Sequence, residues 1–238
     1  MERIATKRST RTASAVANMG AASFAVAAVW YGLATRGVTM ASEPNPSPSI
    51  PVAQAQKIYQ AWLVTTLHQE RLYTGIAVVG FLCLAAVAVF MRDAIGRERP
   101  LARIAAMAIV LGAALWVGGN VAHLGAQRAV GLLATHDYSP GTVSAVQFTT
   151  DLINEALEVA AFAIIGVGMI AFGVAAAESE FRSRTWERLT FALGIAAVAT
   201  TISYLGEFFN LKDFLLIATG AVLFPIWMLW SGRRLADA

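Results

Sequence analysis

Long apolar runs alternate with short polar segments along the whole chain. A helix needs roughly 20 predominantly apolar residues to cross a hydrocarbon core of about 30 Å, and six windows reach or approach that length. The windows are Thr12 to Leu33, Leu72 to Met91, Ile104 to Leu124, Leu157 to Ala177, Leu189 to Phe208 and Leu211 to Trp230. The pattern predicts an all-α polytopic membrane protein with six transmembrane helices, in which residues 1–238 form a single integral-membrane helical domain.

The first window follows a basic N-terminal segment and therefore resembles a secretory signal peptide. The apolar core of such a peptide runs about 7 to 15 residues, whereas this window continues to Trp30 and Tyr31. Aromatic residues of this kind are typical of a membrane interface. We therefore interpret the window as the first transmembrane helix.

The distribution of lysine and arginine predicts the orientation, because short loops rich in these residues remain in the cytoplasm. With the N-terminus inside, thirteen of the 18 basic residues fall in inner segments. The five in outer segments are Arg36, Lys57, Arg71, Arg128 and Lys212. We expect a multi-pass protein of a bacterial plasma (inner) membrane with both termini in the cytoplasm.

Two outer segments are longer than simple turns. Residues 34–71 form an outer loop with a proline-rich stretch, Glu43 to Pro51, followed by apolar residues at helical spacing that predict an amphipathic outer helix before helix 2. Helix 4 is expected to begin before the membrane, after Ser139-Pro140-Gly141. The apolar faces that we expect to be buried carry Ile58, Tyr59, Trp62 and Leu63 on the first segment and Val146, Phe148 and Leu152 on the second.

Composition supports a membrane protein and excludes several other classes. The chain is 57% hydrophobic and 14% charged, and the basic residues behind its net charge of +3 lie beside apolar runs, so no nucleic-acid partner is expected. The one cysteine, Cys83, allows neither a disulfide nor a cysteine metal site within one chain. We predict no cofactor and find no catalytic signature in the sequence.

A layer of polar residues is expected at the outer membrane boundary, from counting outward at 1.5 Å per residue from the inner basic anchors. On helix 4, Asp151, Glu155 and Glu158 share one face at i, i+4 and i+7. Arg71, His123 and Lys212 are available to partner these carboxylates, and we expect Glu158 to pair with Arg71 or His123. The candidate ligand-binding residues are Arg71, Trp116, Asn120, His123, Glu155, Glu158, Tyr204 and Glu207.

Charges also resume at the boundary of any membrane protein, so the layer is compatible with a purely structural role. The functional interpretation is a non-enzymatic protein with an outward-facing, polar-rimmed pocket, walled by helices 2 to 5, that binds a membrane lipid or a small amphipathic ligand. An accessory subunit of a membrane protein complex is the related interpretation. A cavity of roughly 300 Å³ or more near Glu155 and His123 distinguishes the two. The expected apolar floor consists of Phe81, Trp116, Ile153 and Phe162.

Two further functions are alternatives, and a third, haem binding, is disfavoured. A membrane-embedded metal-dependent hydrolase would use His123 with Glu155 and Glu158, since these side chains suit zinc. A small transporter is compatible with Pro225, which is expected to kink helix 6. A b-type haem usually takes two buried histidines, and only His123 lies in a predicted span.

Several apolar segments resemble an uncharacterised bacterial six-span membrane protein family, a domain of unknown function. They are GAVLFPIWMLWSGRRL at residues 220–235, RLYTGI at residues 71–76 and LAR at residues 101–103. The similarity extends over residues 70–235 and implies six spans, but no activity or catalytic residue. The long proline-bearing outer insert departs from the compactness of that family.

Overall fold

The computed structural model describes residues 2–35, 49–134 and 139–237, and the elements in these ranges are all helical. They are α1 (Glu2–Thr35), α2 (Val52–Gly96), α3 (Pro100–Ala134), α4 (Pro140–Ala177), α5 (Arg184–Leu205), α6 (Phe209–Ile217), a π-helical turn (Ala218–Leu223) and α7 (Phe224–Asp237). Within these ranges, six helices are long and apolar enough to span a membrane, with α6, the π-helical turn and α7 forming the sixth. The predicted all-α, six-span architecture is confirmed.

The spans pack in chain order, and α1 closes the bundle by packing along α7. We call the end that carries the connections at residues 97–99 and 178–183 the arginine-rich end, and the opposite end the cavity end. Near the arginine-rich end, the fully buried Trp186 and Trp227 hold α5 to α7. The indole Nε1 of Trp186 donates to Ser231 Oγ at 2.9 Å, and that of Trp227 donates to Thr190 Oγ1 at 2.9 Å.

Glycine allows α3 and α4 to approach closely. A Cβ atom on Gly112 would lie 2.6 Å from Ile165 Cγ1 and 2.8 Å from the carbonyl oxygen of Ala161. Gly118, on the same helix, faces open space. Because lipid is as apolar as the side chains, helices in membranes associate through such close packing, so Gly112 is a residue on which the bundle depends.

We expect Gly112→Ala to lower the free energy of unfolding by about 1–3 kcal/mol, because the added methyl group overpacks the α3–α4 contact. Gly118→Ala is the matched control, since its methyl group meets no neighbour. Thermal unfolding of both variants in detergent measures the difference. Equal melting temperatures for the two variants would show that the close α3–α4 contact at Gly112 does not contribute to stability.

The predicted amphipathic outer helix is the first part of α2, which begins after Pro51 and runs without interruption for 45 residues. This length exceeds what a crossing requires, so α2 projects from the cavity end. Helix 4 also begins early, as predicted, with Ser139 capping it: the Ser139 Oγ accepts from the backbone N–H of Thr142 at 3.2 Å. Residues 43–48 of the proline-rich stretch lie outside the described residues.

The two projecting segments pack on each other, but not through the faces predicted. Val143 is buried against Val130 and the half-buried Trp62, whereas Phe148 is 65% exposed and Leu152 44% exposed. Ile58 and Val146 are also exposed, Tyr59 is half-buried, and the Leu63 side chain lies outside the described part of the chain.

The prediction failed because the contact between these segments is partly polar. Gln60, Gln127 and Gln147 are all buried there, and Gln60 Nε2 lies 3.5 Å from Ser144 Oγ as a donor. An apolar stripe identifies the buried face of a helix only where the neighbouring helix is also apolar.

The sixth span contains a π-helical turn just before Pro225, the residue that was expected to kink it. Proline lacks the N–H of a regular helix and its ring crowds the preceding turn. The π-helical turn lies directly before Phe224-Pro225. Such turns are frequent at bends in helices and at functional sites. As a result α7 packs along α1, whereas α6 packs on α5.

Candidate functional site

A cavity of about 670 Å³ lies at the cavity end, between α1, α2, α3, α4 and the sixth span. We call it the main chamber. Aromatic rings form its apolar floor: Phe81 stacks on Trp116 with ring centroids 4.0 Å apart, and Phe24 meets Phe81 edge to face at 5.1 Å. Phe162 completes the floor. Phe81, Trp116 and Phe162 are therefore where the sequence predicted them.

Two expectations about the chamber are wrong. Ile153 was expected in the floor but is 55% exposed on the outer surface of α4. The walls were expected from helices 2 to 5, whereas α1 and the sixth span line the chamber and no described residue of α5 does. Both errors have the same cause. Packing determines how each helix is rotated about its axis and which helices lie beside it, and counting residues along the sequence reveals neither.

The wall above the floor is polar and centres on Glu158. The indole Nε1 of Trp116 donates to Glu158 Oε1 at 2.7 Å. The expected partners, Arg71 and His123, do not pair with Glu158, because Arg71 faces outward and His123 turns to other carboxylates. Within the described part of the chain, no nitrogen of a lysine, arginine or histidine lies within 4 Å of the Glu158 carboxylate.

His123 lies between two carboxylates. Its Nε2 is 3.2 Å from Glu70 Oε1, and its Nδ1 is 3.6 Å from Asp151 Oδ1, longer than a hydrogen bond. Gln127 Nε2 donates to Asp151 Oδ1 at 3.2 Å and also approaches the imidazole Nε2 at 3.2 Å. These contacts tie α2, α3 and α4 together and fix the ring at the edge of the main chamber.

A smaller chamber of about 290 Å³ adjoins the first. The two share lining residues, His123, Asn154 and Glu158 among them. Lys212 at the start of α6 lines the smaller chamber, where its Nζ pairs with Glu155 and lies 2.9 Å from Asp213 Oδ1. A charged side chain at this depth is costly unless it is paired, and the Lys212 ammonium is satisfied by these two carboxylates.

Five of the predicted site residues line the chambers. Trp116, Asn120, His123 and Glu158 line the main one, and Glu155 lines the smaller one together with His123 and Glu158. The three that line neither chamber are Arg71, Tyr204 and Glu207.

These three residues lie near the cavity end, as predicted, but on sides of the bundle that do not face the chambers. Arg71 is exposed, and its neighbour Glu70 faces the chamber instead. Glu207 lies in the exposed turn between α5 and α6, with a left-handed φ of 60°. Tyr204 is half-buried and packs edge to face on Phe209 at 6.3 Å. α5 ends at Leu205 and not at Phe208, which moves Glu207 out of the helix.

The lining residues that sequence reasoning missed include Tyr31, Glu70, Tyr73 and Asn154. Asn154 carries a signal that was available, because it lies four residues before Glu158 and thus on the same helical face. Tyr31 was assigned to the membrane interface, yet its ring meets that of Tyr73 edge to face at 5.6 Å. No pattern in the sequence indicates that pair.

The metal site proposed for His123, Glu155 and Glu158 does not form. Among the described residues, no three His, Cys, Asp or Glu side chains converge as metal ligands. The three side chains have separate partners: Glu70 for His123, Lys212 for Glu155 and Trp116 for Glu158. A metal-dependent hydrolase built on this set is therefore not supported.

Exposed lining residues on α1 and α6 lead us to interpret the space between these two helices as an opening of the main chamber. Its lining includes Val29 of α1 and Ile217 of α6, which are 63% and 49% exposed. Gly220 and Ala221 of the π-helical turn complete this side. The gap exists because α6 packs on α5 while α1 packs on α7. We call it the lateral opening.

Comparison of the chain with protein-family models, with curated proteins and with solved structures finds no match. The resemblance of residues 70–235 to a six-span family consequently stays a prediction. Since a fold does not by itself specify an activity, the chemistry of the two chambers is the basis on which a function is assigned.

Proposed function

We propose that this protein is a non-enzymatic, membrane-embedded binding protein for a lipid or a small amphipathic molecule. The observation that carries the proposal is one cavity of about 670 Å³ that combines an aromatic floor, a polar wall and the lateral opening. Sites for small molecules have volumes of roughly 300–1,000 Å³, mostly apolar walls and a few convergent polar groups. An amphipathic molecule matches both parts, because its chain contacts the rings while its head group hydrogen-bonds to the wall.

The lateral opening favours a ligand that arrives from the bilayer. Val29 and Ile217 are apolar and face lipid, so a hydrocarbon chain passing between them never enters water. The polar wall lies toward the cavity end of the same chamber, where lipid head groups are found. The proposed ligand thus keeps its orientation in the bilayer as it binds.

The size of the main chamber supports ligand binding over the accessory-subunit alternative. Ligand binding requires a cavity of roughly 300 Å³ or more near His123, and His123 lines one of about 670 Å³. Glu155 lines the adjoining smaller chamber. A subunit that only contacts a partner protein needs no such space.

We also propose the plasma membrane of a bacterium as the location, with the cavity end outward and both termini in the cytoplasm. The support is the count of basic residues, of which thirteen of 18 fall on the arginine-rich end.

The orientation predicts which positions an impermeant maleimide can label in intact cells. In a Cys83→Ala background, Lys57→Cys at the cavity end is expected to react, and Arg184→Cys at the arginine-rich end is expected to react only after the cells are opened. Both positions are exposed. Labelling of Arg184→Cys in intact cells would reverse the proposed orientation.

The binding function is tested by filling the main chamber. Ala28 and Ala77 line it from α1 and α2, and replacing either one with tryptophan places an indole where the ligand would lie. Ala114→Trp is the matched control, because Ala114 is exposed on the outer surface of α3. All variants are first compared by thermal unfolding, so that loss of fold is separated from loss of binding.

The probes are dodecylamine, dodecanol and dodecanoate, which share one chain and differ in head group. Native mass spectrometry of the purified protein counts bound probe, and tryptophan fluorescence gives the Kd. We expect at least one probe to bind one to one with the wild type and with Ala114→Trp, and to lose at least tenfold in affinity with Ala28→Trp and Ala77→Trp. Failure of all three probes to bind the wild type, or binding that the filled variants leave unchanged, would contradict the proposed function.

A further inference from the structure

The ligand's head group can be inferred from the charges that surround the chambers. Each lining carboxylate except one has a cation-forming side chain within 4 Å among the described residues. Glu70 and Asp151 lie beside His123, and Glu155 and Asp213 lie beside Lys212. Carboxylate side chains therefore outnumber lysine and histidine side chains in the described lining of the two chambers.

Glu158 is the exception. Its side chain is half-buried within a membrane span and lines both chambers. The neutral indole N–H of Trp116 is the one hydrogen-bond donor that reaches it among the described residues. A carboxylate at membrane depth is stabilised by a cation or by water in a cavity. Since no described lysine, arginine or histidine nitrogen lies within 4 Å of Glu158, the position has room for a cation that arrives with the ligand and replaces water there.

The surrounding rings are suited to the same kind of ligand. Tyr31, Tyr73, Phe81 and Trp116 line the main chamber, and aromatic faces attract ammonium groups, more strongly where water is excluded. One face of Trp116 is covered by Phe81, and Tyr31 and Tyr73 add two further rings to the lining. Carboxylate and aromatic groups together form the common recognition surface for organic cations.

An anionic head group finds no comparable site. The described lining contains no arginine, and the ammonium of Lys212 is already held by Glu155 and Asp213. A phosphate or carboxylate placed in the main chamber would face Glu70 and Glu158. Like charges in a water-poor cavity repel strongly, which disfavours an acidic ligand.

We propose that the ligand carries an alkylammonium head group, which pairs with Glu158 while its hydrocarbon chain lies on the aromatic floor. This inference rests on the proposed binding function and specifies its ligand class. Two sources offer the same ammonium group: a free long-chain amine, and a membrane phospholipid with an ethanolamine head group, whose phosphate would have to lie outside the main chamber. Both reach the chamber through the lateral opening.

The decisive comparison uses the three dodecyl probes on the wild type, Glu158→Gln and Glu158→Asp. Charge-assisted hydrogen bonds are worth enough to change affinity by about 10- to 100-fold, so we expect the wild type to prefer dodecylamine over dodecanol by that factor. Glu158→Gln should remove the preference, and Glu158→Asp, which retains the charge, should restore part of it. Glu180→Gln, an exposed change at the arginine-rich end, is the control and should bind like the wild type.

The outcomes separate the head-group inference from the proposed function. If dodecanol or dodecanoate binds as well as dodecylamine and the Ala77→Trp variant loses that binding, the binding function stands and the alkylammonium inference fails. The inference also fails if Glu158→Gln retains the preference for the amine. If no probe binds the wild type, both fail.

A second arm distinguishes the sources of the ammonium group. The protein is placed in nanodiscs that contain phosphatidylethanolamine and phosphatidylglycerol in equal amounts, and the lipid retained after extraction is identified by native mass spectrometry. Selective retention of phosphatidylethanolamine, lost in Glu158→Gln, identifies the phospholipid as the source. Retention of neither lipid, with dodecylamine still bound, identifies a free amine. Selective retention of phosphatidylglycerol would overturn the inference.

Discussion

Replacing Lys212 with methionine is expected to lower the free energy of unfolding by about 2–4 kcal/mol. The change removes the cation that holds Glu155 and leaves that carboxylate unpaired beside the smaller chamber. The Lys212 side chain is 12% exposed and that of Glu155 is 30% exposed, so the cost falls between the roughly 0–1 kcal/mol of an exposed pair and the roughly 3–5 kcal/mol of a buried one.

Thermal or denaturant unfolding in detergent measures this effect, and a double change tests its cause. Lys212→Met combined with Glu155→Leu should cost less than Lys212→Met alone, because the half-buried Glu155 carboxylate is then absent and the Asp213 carboxylate, which is 60% exposed, is solvated by water. Lys57→Met, at an exposed position, is the control for loss of a lysine. If the Lys212→Met variant is as stable as the Lys57→Met control, the ion pair of Lys212 with Glu155 does not stabilise the fold.

Replacing Trp227 with alanine is expected to be the most destabilising single change, at about 3–5 kcal/mol. The side chain is fully buried in α7, lies 6.1 Å from the ring of Trp186 and donates a hydrogen bond to Thr190. Its loss leaves a large void between α5 and α7 and removes the hydrogen bond that the Thr190 hydroxyl accepts. Because α7 also packs on α1, the change loosens the closure of the bundle.

Trp230→Ala is the matched control, since Trp230 lies on the same helix and is 37% exposed. Unfolding of the two variants under the same conditions gives the comparison. Equal destabilisation would mean that the buried indole contributes no more than a lipid-facing one, contrary to the packing described for α5 and α7.

The height of a residue along its helix could be predicted from the sequence. Helix rise and hydrocarbon thickness fix that height, and His123, Glu155, Glu158 and Lys212 do meet at the cavity end as counting indicates. The six spans follow from the same arithmetic and the same apolar windows.

The position of a residue around its helix could not be predicted in the same way. In a bilayer both the protein interior and the lipid are apolar, so Ile153 and Phe162 look alike in sequence although one faces lipid and the other the chamber. One residue likewise separates the exposed Arg71 from Glu70, which lines the chamber. The lateral opening depends on how the π-helical turn directs α6 away from α1, which no local pattern records.

Photolabelling tests most directly whether the main chamber holds a hydrocarbon chain. A dodecylamine that carries a diazirine at the far end of its chain is irradiated with the protein in nanodiscs, and the labelled residues are mapped by mass spectrometry. We predict labelling of the floor residues Phe24, Phe81 and Phe162, and its loss when excess dodecylamine competes or when Ala77→Trp fills the chamber. Labelling confined to lipid-facing residues such as Met107 and Leu111, which are 70% and 60% exposed, and not reduced by competitor, would contradict a ligand-binding chamber.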